Sequence, residues 1–333
     1  MKASLLRHLV CPGCKGTLQL ASQERDAEEI VQGRLACDRC RRDYPIQRGI
    51  PRFVETDAYA RTFSFQWNLH RTVQVDSLAG HHQSQRAFGF KTGFTHEELN
   101  GKLVLDVGCG TGRYMEIAAD RGAEVIGVDL SFAVEAAYRN MGRRANIHIV
   151  QADVFRLPFR PSTFDAIYSI GVLHHTTSTR DAFLCLPPLL TPNGVVAIWV
   201  YAWAGDYSAY LDRVRRVTSR LPKRLLYGLC WIAVPVLHAL LKVPVLRRLA
   251  WRIPTSHQGR GLVWDVLDTF DLWSPRYQWK HQEPEVRAWF EEAGLTDVRA
   301  LSFPVAMRGR RTMTHVEAMA HGQTERELVF PQP

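Results

Sequence analysis

The sequence predicts an α/β protein: a doubly wound parallel sheet of seven strands, a small cysteine-rich unit before it, and a helical insertion after the fifth strand. Three observations carry that reading. Over residues 99–204, short apolar runs that close on an acid or a glycine alternate with helical patterns. Four of the seven cysteines stand in two C-x-x-C pairs near the N-terminus. Leu225 to Leu241 is a run of 17 residues without Lys, Arg, Asp or Glu, fenced by basic residues on both sides.

Size and charge narrow the field. The chain has 333 residues, 46% hydrophobic and 23% charged. That supports one large or two modest domains and excludes a disordered chain, a collagen-like repeat or a disulfide-stapled miniprotein. The formal charge is +9, and it is local: residues 208–254 hold ten basic residues and one acid, Asp212, while the remainder balances at 32 against 32. One segment, not the whole chain, needs a charge-based explanation. Met1 to Val10 shows no apolar signal segment, so the cytoplasm is the expected compartment.

Residues 1–54 form the first unit. Cys11-Pro-Gly-Cys14 and Cys37-Asp-Arg-Cys40 can close a tetrahedron of thiolates around a structural Zn²⁺, each pair forming a knuckle. Glu24 to Glu29 fills the gap as an exposed hairpin tip. Residues 55–98 read as an aromatic connector or cap, with Phe63-Ser-Phe65-Gln-Trp67 and Phe88-Gly-Phe90. No strand period is visible there, and a helical lead-in over the next domain's pocket is expected.

Residues 99–204 carry five strands: Leu103–Val107, Val125–Val128, Ile147–Val150, Phe164–Ile170 and Val195–Val200. Helices are expected at Arg113–Arg121, from a Ser131 cap through about Arg144, and over Asp181–Leu190. Residues 205–254 are the basic, apolar helical insertion. Residues 255–325 return to the main domain, with a helix over Pro284–Ala293 and the last strands at Val298–Phe303 and Thr314–Ala320.

Val104 to Gly112 reads VLDVGCGTG, with Gly108, Gly110 and Gly112 between a strand and a helix. Such glycines let the backbone turn tightly and approach a ligand. A dinucleotide fingerprint would require glycine at position 113, which is Arg113. An acid at 106 is also foreign to that fingerprint, so a ligand with an amino-acid part and no pyrophosphate fits better. Asp129 closes the second strand, placed for ribose hydroxyls, and Asp153 closes the third, placed for an adenine amino group.

VLDVGCGTG, GVDLS, QADVFRLPF and FDAIYSIGVLHH, in that order, resemble the class I S-adenosylmethionine-dependent methyltransferases, which share a Rossmann-like core. The resemblance implies S-adenosylmethionine as cofactor. It assigns the methionine part to Asp106, Gly108, Cys109, Gly110 and Gly112, the ribose to Asp129 with Leu130, and the adenine to Asp153 with Val154; Ser169 joins the cofactor set. CPGC, CDRC and YPIQRGIPRF resemble the small zinc-ribbon protein that activates several methyltransferases as a partner, here fused to the enzyme.

The acceptor is read from the segment after the fourth strand. A D/N-P-P-Y/F/W motif, which accepts hydrogen bonds from an exocyclic amine, is replaced by Ser169-Ile-Gly-Val-Leu-His-His175. His174, His175 and Tyr201 are the candidate catalytic groups, a histidine being a sensible base at neutral pH. Asp265, Asp268, Asp271, Tyr277 and His281 form a polar and aromatic cluster that can fold over the pocket.

The expected acceptor is a small molecule, O-methylation being favoured over C-methylation, with a hydrophobic or lipid-linked acceptor suited to the insertion. The insertion itself reads either as a lid or as a peripheral contact with an anionic membrane; Pro235 and a length just short of a span argue against crossing. Nucleic acid ranks below the small molecule as partner. Two alternatives stay open: an RNA methyltransferase acting through the ribbon and the basic insertion, and a noncatalytic partner that keeps the fold.

Overall fold

The computed structural model describes residues 1–247, 255–256 and 261–312. An antiparallel four-stranded sheet comes first: β1 (Leu18–Asp26), β2 (Glu29–Cys37), β3 (Asp43–Gln47) and β4 (Ile50–Pro51). The β1–β2 turn is the exposed, charged tip expected from Glu24 to Glu29. Three helices come next: α1 (Arg61–Leu69), α2 (Asp76–Ala79) and α3 (Gln83–Thr92).

The main sheet contains β5 (Leu103–Val107), β6 (Glu124–Asp129), β7 (Ile147–Gln151), β8 (Phe164–Ile170), β9 (Leu190–Trp199), β10 (Leu295–Ala300) and β11 (Ala306–Arg311). Its order is β10-β11-β9-β8-β5-β6-β7. The first five pair in parallel; β11 is antiparallel to both neighbours. The helices between them are α4 (Arg113–Asp120), α5 (Val134–Met141) and α6 (Thr179–Leu184). Chain direction across the sheet reverses between β5 and β8, which opens a crevice at the strands' carboxyl ends.

Several expected boundaries move. Ser131 does not cap α5: its hydroxyl donates to Asp129 Oδ1 and accepts from the Ala133 amide, and the helix starts later. The helix expected over Asp181–Leu190 ends at Leu184, because Pro187 and Pro188 divert the chain into a 3₁₀ turn and Leu190 already belongs to β9. The final strands are shifted as well. β10 starts three residues before the expected Val298–Phe303 and overlaps its first half, and β11 occupies 306–311; the expected Thr314–Ala320 lies outside the described residues.

The insertion is helical, as its pattern requires: α7 (Gly205–Thr218) and α8 (Lys223–Lys242), followed by α9 (Leu262–Trp273) and α10 (Glu283–Glu292). Leu226, Cys230, Val234 and Leu237 recur at helical spacing and are buried, the first three in one cluster with Val266, Phe270 and Trp273 of α9. The other side of α8 is exposed and apolar through Leu225, Leu229, Ile232 and Val236. Among the described residues, α8 is the one helix long and apolar enough to cross a membrane; its apolar window is 22% buried.

The N-terminal unit does not hang free. Its Leu5, Leu9, Leu35 and Ile46 join Leu105, Val107, Ile126 and Phe159 of the main domain in one continuous core. Arg52, just past β4, bridges in parallel to Gln151 at the end of β7, so the small sheet runs on from that edge of the large one. Phe53 N donates to Gln151 O at 2.8 Å and Val10 N to Pro158 O at 2.9 Å.

Candidate active site

Cys11, Cys14, Cys37 and Cys40 bring their sulfurs within 4.8 Å of one another, with Cys11–Cys40 at 3.6 Å and Cys14–Cys37 at 3.4 Å. A tetrahedral Zn²⁺ with bonds near 2.3 Å needs sulfurs about 3.8 Å apart. The four thiols fit a structural zinc ion.

A cavity of about 480 Å³ opens at the carboxyl ends of β5, β6 and β8. The glycine loop after β5 forms its floor. Gly108 takes φ +82°, and a Cβ there would stand 2.3 Å from Val172, so only glycine fits. Gly110, at φ +53°, faces the cavity, and a Cβ there would meet only the Trp67 ring, at 3.8 Å. Cys109, Leu130, Val154, Thr111 and Arg113 also line it. Gly112, at φ +86°, turns the chain into α4 behind the lining.

Asp129 lines the cavity with a carboxylate already in use. Its Oδ1 accepts from the Ser131 amide and hydroxyl at 2.8 and 2.7 Å, and its Oδ2 accepts from the Gly110 amide at 3.0 Å. Oδ2 keeps acceptor capacity for a hydroxyl. Burial raises its pKa, and these three donors oppose the shift. Asp106 sits behind the glycine loop, nearly fully buried. Burial raises its pKa well above the ordinary carboxylate value. The Tyr168 hydroxyl, equally buried, stands beside it and opposes that shift through a hydrogen bond, so Asp106 faces Tyr168 behind the cavity wall. Thr111 Oγ1, in the wall itself, is a buried polar atom without a protein partner and suits a ligand's polar group. S-adenosylmethionine fits this floor.

Besides Asp106 and Gly112, two more residues expected in the cofactor set stand back from the cavity. Ser169 is fully buried, and its hydroxyl donates to the Val107 carbonyl at 2.9 Å, tying β8 to the end of β5. Asp153 accepts from the Phe155 amide at 3.1 Å and caps the turn after β7. It lies near Tyr59, a lining residue whose hydroxyl pKa rises through burial, then through Asp153 and Asp129.

Tyr59, Phe63, Gln66 and Trp67 form the roof, so the aromatic lead-in covers the pocket as its composition suggested; Phe65 instead packs on Tyr227 and Phe270. Asp268 and Asp271 of α9 complete it. Tyr277 supports the wall from behind, its ring 5.6 Å from that of Tyr59, and the other two members of the cluster lie apart. Asp265 pairs with His238 at 3.0 Å, and His281 is held by Thr179 and Glu285, both at 2.9 Å. Gln66, Lys91 and Thr111 line the cavity without having stood out in sequence, since none was singled out by a motif's chemistry.

The three candidate catalytic residues form one ring cluster, of which only His175 and Tyr201 reach the cavity. His174 is fully buried outside the cavity, its ring 3.9 Å from Tyr201 and 4.1 Å from His175, and neither ring nitrogen has a partner. Burial, reinforced by His175, pushes its pKa well down. His175 lines the cavity. Its Nδ1 is 2.8 Å from the Tyr277 carbonyl, while Nε2 has no protein partner. A carbonyl only accepts, so Nδ1 carries the hydrogen and Nε2 holds a free lone pair. Burial lowers the His175 pKa, with Asp271 pulling the other way. Tyr201 lines the cavity and donates to Asp271 Oδ2 at 3.0 Å; Gln66 Nε2 donates to Asp271 Oδ1 at 3.2 Å.

Comparison with known proteins agrees with this geometry. Residues 105–198 match the methyltransferase domain family, and residues 2–49 the Trm112p-like protein family. The chain is 34% identical over 112 residues to "Probable tRNA methyltransferase 9B" of Homo sapiens, covering 33% of this chain and 23% of that one. It is 37% identical over 121 residues to a tRNA U34 carboxymethyltransferase of Pseudomonas aeruginosa, covering 35% of this chain and 37% of that one. The chain thus spans well under half the length of these relatives.

Among solved structures, a complex of the Haloferax volcanii Trm112 methyltransferase activator with a methyltransferase covers 76% of this chain and 99% of that one, at 12% identity and TM-score 0.47. Both curated relatives carry transfer RNA in their names. That finding overturns the expected small-molecule acceptor and the low rank given to nucleic acid.

Proposed function

We propose that this chain, a class I S-adenosylmethionine-dependent methyltransferase domain joined to a Trm112p-like zinc ribbon, is an enzyme that methylates RNA. The observation that carries the reading is the union of the two units in one core: the ribbon is anchored on the donor-side loops of a domain whose relatives are named for transfer RNA. The glycine cradle, with Asp129 and Thr111 in the cavity wall, favours an active enzyme over a noncatalytic scaffold. An RNA acceptor is in keeping with work in the cytoplasm. The relatives offer no support for a membrane contact through 208–254.

The donor, when bound, supplies a methyl group on a positively charged sulfur whose departure leaves a neutral thioether. The chain then has to align a nucleophile and take up its proton. Asp129 and the Gly108–Gly112 loop hold the donor's ribose and methionine parts, and Val154 borders its adenine, with Asp153 behind it capping the turn. The acceptor enters beneath Phe63 and Trp67. His175 Nε2 receives the proton as the nucleophile's electron pair forms the new bond to the methyl carbon. Tyr201, fixed by Asp271, shapes the acceptor side, and His174 supports both rings from behind.

The test is a label-partition assay on the full chain with methyl-labelled S-adenosylmethionine and whole-cell extract, separated into RNA, protein, aqueous small-molecule and organic fractions. Asp129→Ala serves as the blank. Label in RNA that is absent from the blank supports the proposal. Label confined to the protein or metabolite fractions refutes it.

A further inference from the structure

The insertion's positive charge is not evenly available. Arg215 is spent on Asp212 at 2.7 Å and on Gln278, and Lys280 also pairs with Asp212. Arg213, Arg216, Arg220 and Arg224 are exposed, and none is in an ion pair among the described residues. They follow three exposed aromatic rings: Trp203 before α7, then Tyr207 and Tyr210 on it, at 45%, 48% and 39% exposure. Tyr207, Tyr210 and Arg213 recur every three residues, so they lie along one side of the helix. Ser208 and Leu211 are buried on the other side.

This surface leads into the cavity. Tyr201, which lines it, is two residues from Trp203. Their backbone runs beside the segment before α10: His281 N donates to Tyr201 O at 2.8 Å, and Trp203 N to His281 O at 3.0 Å. That second segment carries Trp279, 47% exposed, stacked at 17° on Tyr277, whose carbonyl orients His175. Exposed rings therefore stand on both chain segments that run up to the acceptor side.

We infer that α7, the Tyr201–Trp203 segment and Trp279 form a docking face for single-stranded RNA flanking the methylated nucleotide, the rings stacking on bases and the arginines meeting phosphates. The inference rests on the RNA reading above and names its surface. Alternation of aromatic and basic side chains suits a strand with a charged backbone and flat bases. The exposed apolar side of α8, aliphatic but for Trp231, lacks that alternation and lies outside the face.

The experiment uses the full chain and unfractionated transfer RNA. Binding is measured against salt, and methyl transfer as kcat and KM, for wild type, Tyr207→Ala/Tyr210→Ala and Arg213→Glu/Arg216→Glu/Arg220→Glu. The tyrosine pair is expected to raise the KM for RNA about tenfold or more. The charge variant is expected to flatten the salt dependence by about two to three phosphate contacts. Donor binding, measured by calorimetry, should stay unchanged in both and reports that they are folded. Unaltered RNA affinity and KM in both variants would overturn the docking face while leaving the RNA enzyme intact. A wild-type chain that neither binds nor methylates RNA overturns the underlying reading itself. Binding of anionic vesicles in place of RNA, lost in the charge variant, would assign the face to a lipid surface and refute the inference.

Discussion

The Arg52 guanidinium donates to Gln151 Oε1 at 2.6 Å, and the amide of that same glutamine donates to the Leu130 carbonyl at 3.1 Å. One residue of the ribbon is therefore two hydrogen bonds from the residue beside Asp129. A second link runs through Lys15, whose ammonium donates to Leu157 O at 2.8 Å in the loop after Asp153. The ribbon thereby braces the loops that follow β6 and β7.

Arg52→Ala should weaken donor binding about tenfold, read by calorimetry with S-adenosylmethionine. It should also destabilise the fold by about 3 kcal/mol, because Glu135 loses its buried ion-pair partner. Glu135→Gln separates the two effects: it breaks the ion pair and leaves Arg52 on Gln151. Stability should fall while donor affinity holds. Equal losses of affinity in both variants would mean that the brace acts only through stability.

Removing zinc should reach the donor site as well. The metal supplies much of the folding energy of so small a unit, and the ribbon shares its core with the main sheet. Stripping the metal, or Cys37→Ser, should lower the melting temperature by about 10 °C or more and weaken donor binding. Two separate melting transitions with an unaltered donor site would contradict this coupling.

The histidine pair gives a pH prediction. Burial depresses the pKa of both rings, so both are neutral in the folded protein. The unfolded chain takes up these protons as pH falls below about 6.5 and the folded chain resists, so stability should drop on acidification in that range. With His175 as the proposed neutral base, activity should rise with pH through a pKa below about 6.5 and then level off. His174→Phe should keep turnover and recover part of the acid stability. His175→Asn should cut kcat by about a hundredfold or more and leave donor binding intact. If His174→Phe abolishes turnover while His175→Asn does not, the roles are reversed.

Tyr201→Phe removes one of two side-chain donors to Asp271 and leaves the ring stack on His174 in place. The expected result is about a tenfold rise in KM for the acceptor, with donor affinity unchanged. A change confined to thermal stability would reduce Tyr201 to packing.

The donor half of the site was legible because its signals are local. A strand, three glycines and two strand-end acids fix the turn and the cradle wherever they occur, and β5 and β8 begin and end where the pattern put them. β11 was not legible, since its Met-Arg-Gly-Arg-Arg run reads as surface. Arg308 is nonetheless buried in the sheet, answered by Glu98 and by the Gly93 carbonyl at 2.6 Å, both far earlier in the chain. Ser169 misled in the opposite way: it stands at a cofactor-like position, yet its hydroxyl closes a strand pair. The acceptor class is not legible in the insertion, because its apolar run is the same whether it meets a lipid, a ligand or another helix. Apolarity in α8 is partly consumed by packing on α9, and that partner lies beyond the reach of any local pattern.

The continuity of ribbon and main domain has a consequence for supply. A separate activator must be shared among its client enzymes, and each client's output then depends on how much of it is left over. Here every catalytic unit is made with its own ribbon at a fixed ratio of one to one. The chain just past β4 covers the flank of β7 from within the same polypeptide. The amount of ribbon per catalytic unit should therefore stay constant whatever the level of any separate activator.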